Sequence, residues 1–293
     1  MKTVQKQYPF LARTIGVKDL WLKREDQHSY GSHKGRSIPL MIKEYYKRKN
    51  VGHFVISSSG NAALAAAITV ENHNKNNPEK PISLEILVGK NITKHKLTRL
   101  QAYISDSIHI SQVDNPKQMA FQKDKKGEAV SLRQSTDDTA LRGYYSLGQE
   151  LSKIPDLQAI FIPTSSGTTA QGIAEVFTDM NHVPQIHIVQ TSACSPIASI
   201  FDTDVEPTST TVAPAICDRV AHRKLSVISA INQTHGSGWV VTNKEIKDMI
   251  TLVKRTTKMT LSPNGILGLV GIKKAVQAGW TWDGAVVCIV TGE

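Results

Sequence analysis

One lysine stands in surroundings that would make its amine a nucleophile. In LWLKREDQHSYGSHKGRSIP, Lys34 follows a Ser- and Gly-containing loop and precedes Ile38, Met41, Ile42 and Tyr45, whose offsets mark one helical face. A lysine at a loop-to-helix junction sits beside backbone N–H groups and a positive dipole end, which disfavour its protonated form. A neutral amine is what attack on a carbonyl needs. Pro39 belongs in a first turn, so the helix is expected to begin nearer Arg36. Two other segments gather hydroxyls and amides at a helix start. HFVIS at 53 to 57 runs into SSSGN and an alanine-rich helical stretch from Ala62, and AIFIP at 159 to 163 opens into TSSGTTAQG. Both are suited to anions. The second lacks the GK[ST] of a P-loop and the glycine spacing of a dinucleotide fingerprint, which sets aside kinase and dehydrogenase readings. Finally, AVVCIV at 285 to 290 delivers the hydroxyl of Thr291 and then Gly292 at a strand end. Taken singly, these features are also a surface lysine, capping serines and a turn after a buried strand.

Taken in order, the four segments resemble fold-type-II pyridoxal-phosphate enzymes, the tryptophan synthase β superfamily, and within it threonine synthase-like proteins. The residues matching the lysine signature are Leu22, Lys23, Glu25, Gly31, Ser32, Lys34 and Arg36. The resemblance implies pyridoxal 5'-phosphate as cofactor, held on Lys34 as a Schiff base, with the same lysine as catalytic base. It assigns Asn61 to the cofactor's ring hydroxyl and Ser58, Ser59 and Gly60 to the substrate carboxylate. Ser165, Ser166, Gly167, Thr168 and Thr169 take the place of the phosphate cup, and Thr291 that of the partner to the pyridine nitrogen. A neutral hydroxyl there favours elimination and replacement over transamination. Ser262 and Gly265, in LSPNGILGLVGIKKA, match a segment that closes the site.

Where threonine synthases carry a substrate-binding arginine in an Asn-Pro-x-Arg stretch, DDTALRG places Ala140, with Arg142 two residues on as the candidate substrate ligand. His33 and Gly35 stand where those enzymes usually have Phe and Asp, and Ala62 where dehydratases and racemases have His. The implied activity is elimination or replacement on an amino acid, as in a lyase converting O-phosphohomoserine to threonine. A serine/threonine dehydratase or a cysteine synthase-like β-replacement enzyme is the alternative. A non-catalytic cofactor-binding homologue or subunit is the reading from another class.

The elements that must position these groups form an alternation. Strand-like runs at 53 to 57, 82 to 88, 159 to 163, 186 to 190 and 285 to 290 are interleaved with helical patterns at 62 to 72, 93 to 103, 142 to 153, 170 to 180, 243 to 256 and 265 to 277. That order predicts an α/β protein with parallel sheets flanked by helices. The resemblance divides it into a large cofactor-binding domain of 1–45 with 138–293 and a small α/β domain of 46–137, with the cofactor between them. The 293 residues suffice for a sizeable core. MKTVQKQYPF lacks the apolar region of a signal peptide and no run approaches about 20 apolar residues, so a cytoplasmic protein without a membrane span is expected. Cys194, Cys217 and Cys288 fit neither a disulfide framework nor a metal site. The net charge of +10 comes from modest clusters, Lys43 to Lys49, Lys90 to Arg99 and Lys123 to Lys126, on or beside predicted helices. They read as solvated faces rather than a nucleic-acid surface. A small amino-acid substrate and a homodimer are the expected partners.

Overall fold

A computed structural model describes residues 2–292. In chain order its elements are β1 (Gln5–Gln7), α1 (Pro9–Ile15), β2 (Asp19–Arg24), α2 (Lys34–Lys49), β3 (His53–Ser57), α3 (Asn61–Asn76), β4 (Ser83–Gly89), α4 (Lys94–Gln101), β5 (Ile108–Val113) and α5 (Pro116–Lys125). They continue as β6 (Val130–Ser131), α6 (Thr139–Leu151), β7 (Leu157–Pro163), α7 (Thr168–Phe177), β8 (Gln185–Thr191), α8 (Lys224–Gln233), β9 (Gly238–Val241), α9 (Asn243–Thr257), α10 (Leu267–Gln277) and β10 (Ala285–Val290). The chain divides into two compact units, Met1–His33 with Tyr144–Glu293 and Lys34–Gly143.

The larger unit is built on a sheet ordered β1-β2-β10-β7-β8-β9, parallel throughout except for β1. β10 lies in its interior because AVVCIV is apolar at every position, and a strand buried on both faces needs that composition. Strand alternation then sorts its side chains. Val286, Cys288 and Val290 enter the cluster with Leu11, Leu20, Met249 and Leu269, while Val287 and Ile289 enter the one with Leu147, Ile173 and Val227. Helices therefore cover both faces, α1, α9 and α10 on one and α6, α7 and α8 on the other.

The smaller unit carries a parallel sheet ordered β5-β4-β3-β6. Val55 and Leu87 meet Ala120 of α5 on one face, and alternation turns Phe54 and Ile56 to the other. α2 packs on α3, and Ile38, Met41 and Ile42, on the face expected from sequence, are buried.

Three boundaries differ from expectation. α2 starts at Lys34 rather than near Arg36, leaving Pro39 inside it, so the Gly35 carbonyl loses one intrahelical donor. Because that helix runs unbroken to Lys49 against α3, residues 34–45 fall with the smaller unit; the later division lies inside α6, at 143/144. Each basic cluster has a member in an ion pair, Arg48 with Glu44, Lys90 with Asp114 and Lys123 with Glu85. No helix among the described residues is long and apolar enough to cross a membrane.

Candidate active site

In the larger unit the end of β10 is laced to the residues just before Lys34. Ser32 bridges Gly292, and the His33 backbone N–H donates to the Thr291 carbonyl at 3.3 Å. The His33 ring approaches the same oxygen through Nδ1 at 2.8 Å; a carbonyl only accepts, so Nδ1 carries the proton. Gly292 permits this approach. Its φ is +103°, and a Cβ there would stand 2.8 Å from the Gly31 carbonyl oxygen. Ser262 Oγ donates to the Gly292 carbonyl at 2.8 Å and accepts from the Gly265 amide at 3.0 Å, so the two residues matched to a closing segment lie against this strand end. Thr291 is 2% exposed, and its hydroxyl has no hydrogen-bond partner among the described residues.

The signature residues upstream are buried too. Lys23, 1% exposed, pairs with Glu150 and donates to the Thr3 carbonyl at 3.2 Å, while Thr3 Oγ1 donates to Glu25. Buried charges persist only when paired and hydrogen-bonded. The lysine and glutamate thus anchor the strand that leads into the Lys34 loop. Thr3 and Glu150 were not anticipated, and nothing in the sequence links position 3 to position 150.

β7 lies beside β10 and parallel to it, so the loop at 164 to 169 leaves the same sheet edge as Thr291. Gly167 caps α7 with φ +94°, a conformation that glycine adopts readily. A Cβ there would also meet Val227 at 2.8 Å. Thr168 and Thr169 are buried, Ser165 and Ser166 half-buried, and Ser166 Oγ lies 3.0 Å from Thr168 Oγ1. Gln190 braces the loop from β8. Its Nε2 donates to the carbonyls of Thr164 at 3.2 Å and Ser165 at 3.5 Å, and its Oε1 accepts from the Ile197 and Ala198 amides, both at 2.9 Å. This brace was also not anticipated; a lone glutamine in a strand carries no signal of it.

In the smaller unit Lys34 opens α2, half-buried. Ser58, Ser59 and Gly60 follow β3 directly, and Asn61 is the first residue of α3. Ser58 Oγ accepts from the Gly60 amide at 3.3 Å, tightening the turn. Near α2 the start of α6 is held closely: Ser37 Oγ donates to the Ala140 carbonyl at 3.0 Å, and a Cβ on Gly143 would stand 2.4 Å from Ser37 Cα. Tyr45 donates to Asp137 at 2.8 Å; burial first, and then that carboxylate, push its phenol up to about 12. Arg142 is 3.4 Å from Glu44 with its side chain 42% exposed, and Ala140 is buried. No group of His, Cys, Asp or Glu among the described residues could hold a metal.

The family model for pyridoxal-phosphate dependent enzymes matches residues 3–292. The biosynthetic L-threonine dehydratase of Haemophilus influenzae is 22% identical over 267 residues, 88% of this chain and 50% of that protein, so the chain spans half the length of that relative. A threonine synthase of Methanocaldococcus jannaschii is 23% identical over 305 residues, covering 96% of this chain and 72% of that one. Among solved structures, maize serine racemase superposes with a TM-score of 0.82 at 19% identity, over all of this chain and 88% of its own. The residues present fit the cofactor: the hydroxyl of Thr291, a buried residue at the strand end, suits a ring nitrogen, and the hydroxyls and amides at the start of α7 suit a phosphate. From the lysine signature to the strand end at Thr291, the chain belongs to the pyridoxal-phosphate dependent enzyme family, and its cofactor is pyridoxal 5'-phosphate.

Proposed function

We propose that the chain catalyses elimination or replacement on an amino acid in the manner of threonine synthase, with Lys34 as covalent anchor of the cofactor and as catalytic base. When bound, the cofactor withdraws electrons from the substrate's Cα and makes its proton removable. Ser165 to Thr169 would hold the phosphate, Asn61 the ring hydroxyl, and Thr291, a neutral hydroxyl, would be the partner of the ring nitrogen. Ser58, Ser59 and the Gly60 amide take the substrate carboxylate at the start of α3, where the helix favours negative charge. With the cofactor bound, the Lys34 amine would be the base placed to accept the Cα proton, the chemistry that departure of a leaving group from the β or γ carbon and addition of water or another nucleophile require.

The observation that carries this reading is the lacing of His33, the covalent neighbour of Lys34, to the Thr291 carbonyl, which ties the lysine loop to the strand end bearing the proposed ring-nitrogen partner. Borohydride reduction of the cofactor-loaded protein should bleach its colour and leave a phosphopyridoxyl group on the peptide containing Gly31 to Arg36. Lys34→Ala should fold and lose essentially all turnover. A label on another lysine, or an active Lys34→Ala protein, overturns the assignment.

One observation favours a second reading, a serine/threonine dehydratase. Arg142 would have to leave Glu44 to meet a substrate phosphate. Threonine and phosphate formed from O-phosphohomoserine support the first reading, and a 2-oxo acid formed from serine or threonine supports the second.

A further inference from the structure

A cleft of about 530 Å³ opens within the smaller unit at the C-terminal ends of β3 and β4, beside the start of α5. Ser57, Ser58 and Ser59 line it together with Asn115, Lys117 and Gln118, and Leu87 and Val88 add apolar surface. Its size falls in the range of small-molecule sites, roughly 300 to 1,000 Å³. Among the described residues, the side chains of Ser57, Ser59, Asn115, Lys117 and Gln118 make no hydrogen bond or ion pair. The acids close by are already engaged: Asp114 with Lys90 at 2.9 Å, and Glu85 with Lys123 at 2.9 Å and with Ser111 at 3.1 Å. Lys117, exposed at the rim of the cleft, is therefore a cation with no ion-pair partner among the described residues, beside a set of amide and hydroxyl donors.

We propose that this cleft receives the distal end of the substrate's side chain and selects an anionic one, with Lys117 as the ion-pairing residue and Asn115 and Gln118 as amide donors. The inference rests on the reading of Ser58 to Gly60 as the carboxylate loop: that loop also lines the cleft, so an amino acid held there by its carboxylate borders the cleft with its side chain. The substrate class is then amino acids ending in a phosphate ester or a second carboxylate. Lys117 supplies the cation for that end, while Arg142 keeps Glu44 as its partner.

The test uses the cofactor-loaded protein, with Kd read from the change in cofactor absorption on adding O-phosphohomoserine, L-glutamate or L-homoserine, the last matching the first without its phosphate. The wild type should bind one of the acidic compounds more tightly than homoserine, and which of the two distinguishes phosphate from carboxylate. Lys117→Gln should weaken the acidic compound about 10- to 100-fold, as expected for a lost charge-assisted hydrogen bond, and leave homoserine unchanged. Lys117→Arg should retain the preference. Equal binding of acidic and neutral compounds by the wild type, or a preference that survives Lys117→Gln, overturns the cleft's role alone. If no amino acid perturbs the bound cofactor, the proposed function fails and the cleft's role falls with it.

Discussion

Thr291 is buried at the end of β10, its carbonyl held by His33 and its hydroxyl without a hydrogen-bond partner among the described residues. Valine keeps its shape and removes only the hydroxyl, so Thr291→Val should shift Tm by no more than about 3 °C. It should also move the cofactor's absorption maximum and raise the cofactor's Kd about tenfold. An unmoved spectrum would give the ring nitrogen to another group. Asn61→Ala should speed loss of cofactor on dialysis while far-ultraviolet circular dichroism stays native; undiminished retention would remove Asn61 from the site. That Lys34 and Asn61 lie at or beside helix starts and Thr291 at a strand end was legible locally, to within a residue or two, whereas their roles come from the resemblance. Gln190, Thr3 and Glu150 were not legible, because each works through a partner 20 or more positions away that no local pattern announces.

Helices α2 and α6 meet where Gly143 faces the Ser37 backbone, so a methyl group there has nothing flexible to displace. Gly143→Ala should cost about 1 to 3 kcal/mol, read as a lower urea midpoint. A midpoint equal to the wild type would mean that the two helices can separate freely. At α9 a capping box is complete, the Thr242 side chain accepting from the Glu245 amide while Glu245 accepts from the Thr242 amide. Thr242→Ala should cost about 1 kcal/mol on the same scale. Five strands were legible, since VVCIV-like runs admit few alternatives. β2 was missed because DLWLKR carries Lys23 and Arg24, residues that announce solvent until Glu150 and Asp26 are known to be their partners. β9 is only four residues long, and α5, with Lys117, Gln118, Gln122 and Lys123, shows little apolar face from which to read a helix.

At the scale of the molecule, acid sensitivity has a buried source. His187 is fully buried, stacked on Phe161, and accepts at Nδ1 from the Ser237 amide and Trp239 Nε1. The proton therefore sits on Nε2, which donates to Gln185 Oε1. Burial lowers its pKa from 6.5 to about 3. Above pH 6.5 both folded and unfolded imidazoles are neutral; between pH 6.5 and about 3 only the unfolded one takes a proton, so stability falls with acidity by up to about 1.4 kcal/mol per pH unit. Its ring NMR signals should stay constant down to pH 5, and titration near 6.5 in the folded protein would refute this. The α/β alternation was legible at this scale. The unit borders were not, because α2 and α6 each run on without any break in composition where the division falls. The interior place of β10, between β2 and β7, has a temporal consequence. A nascent chain that has not yet reached residue 285 has β2 and β7 as open edges, whereas residues 34–143 are contiguous and already complete. In pulse-labelled refolding, amides of β3 and β4 should gain protection before those of β2 and β7, because β10 must close contacts of the greatest sequence separation.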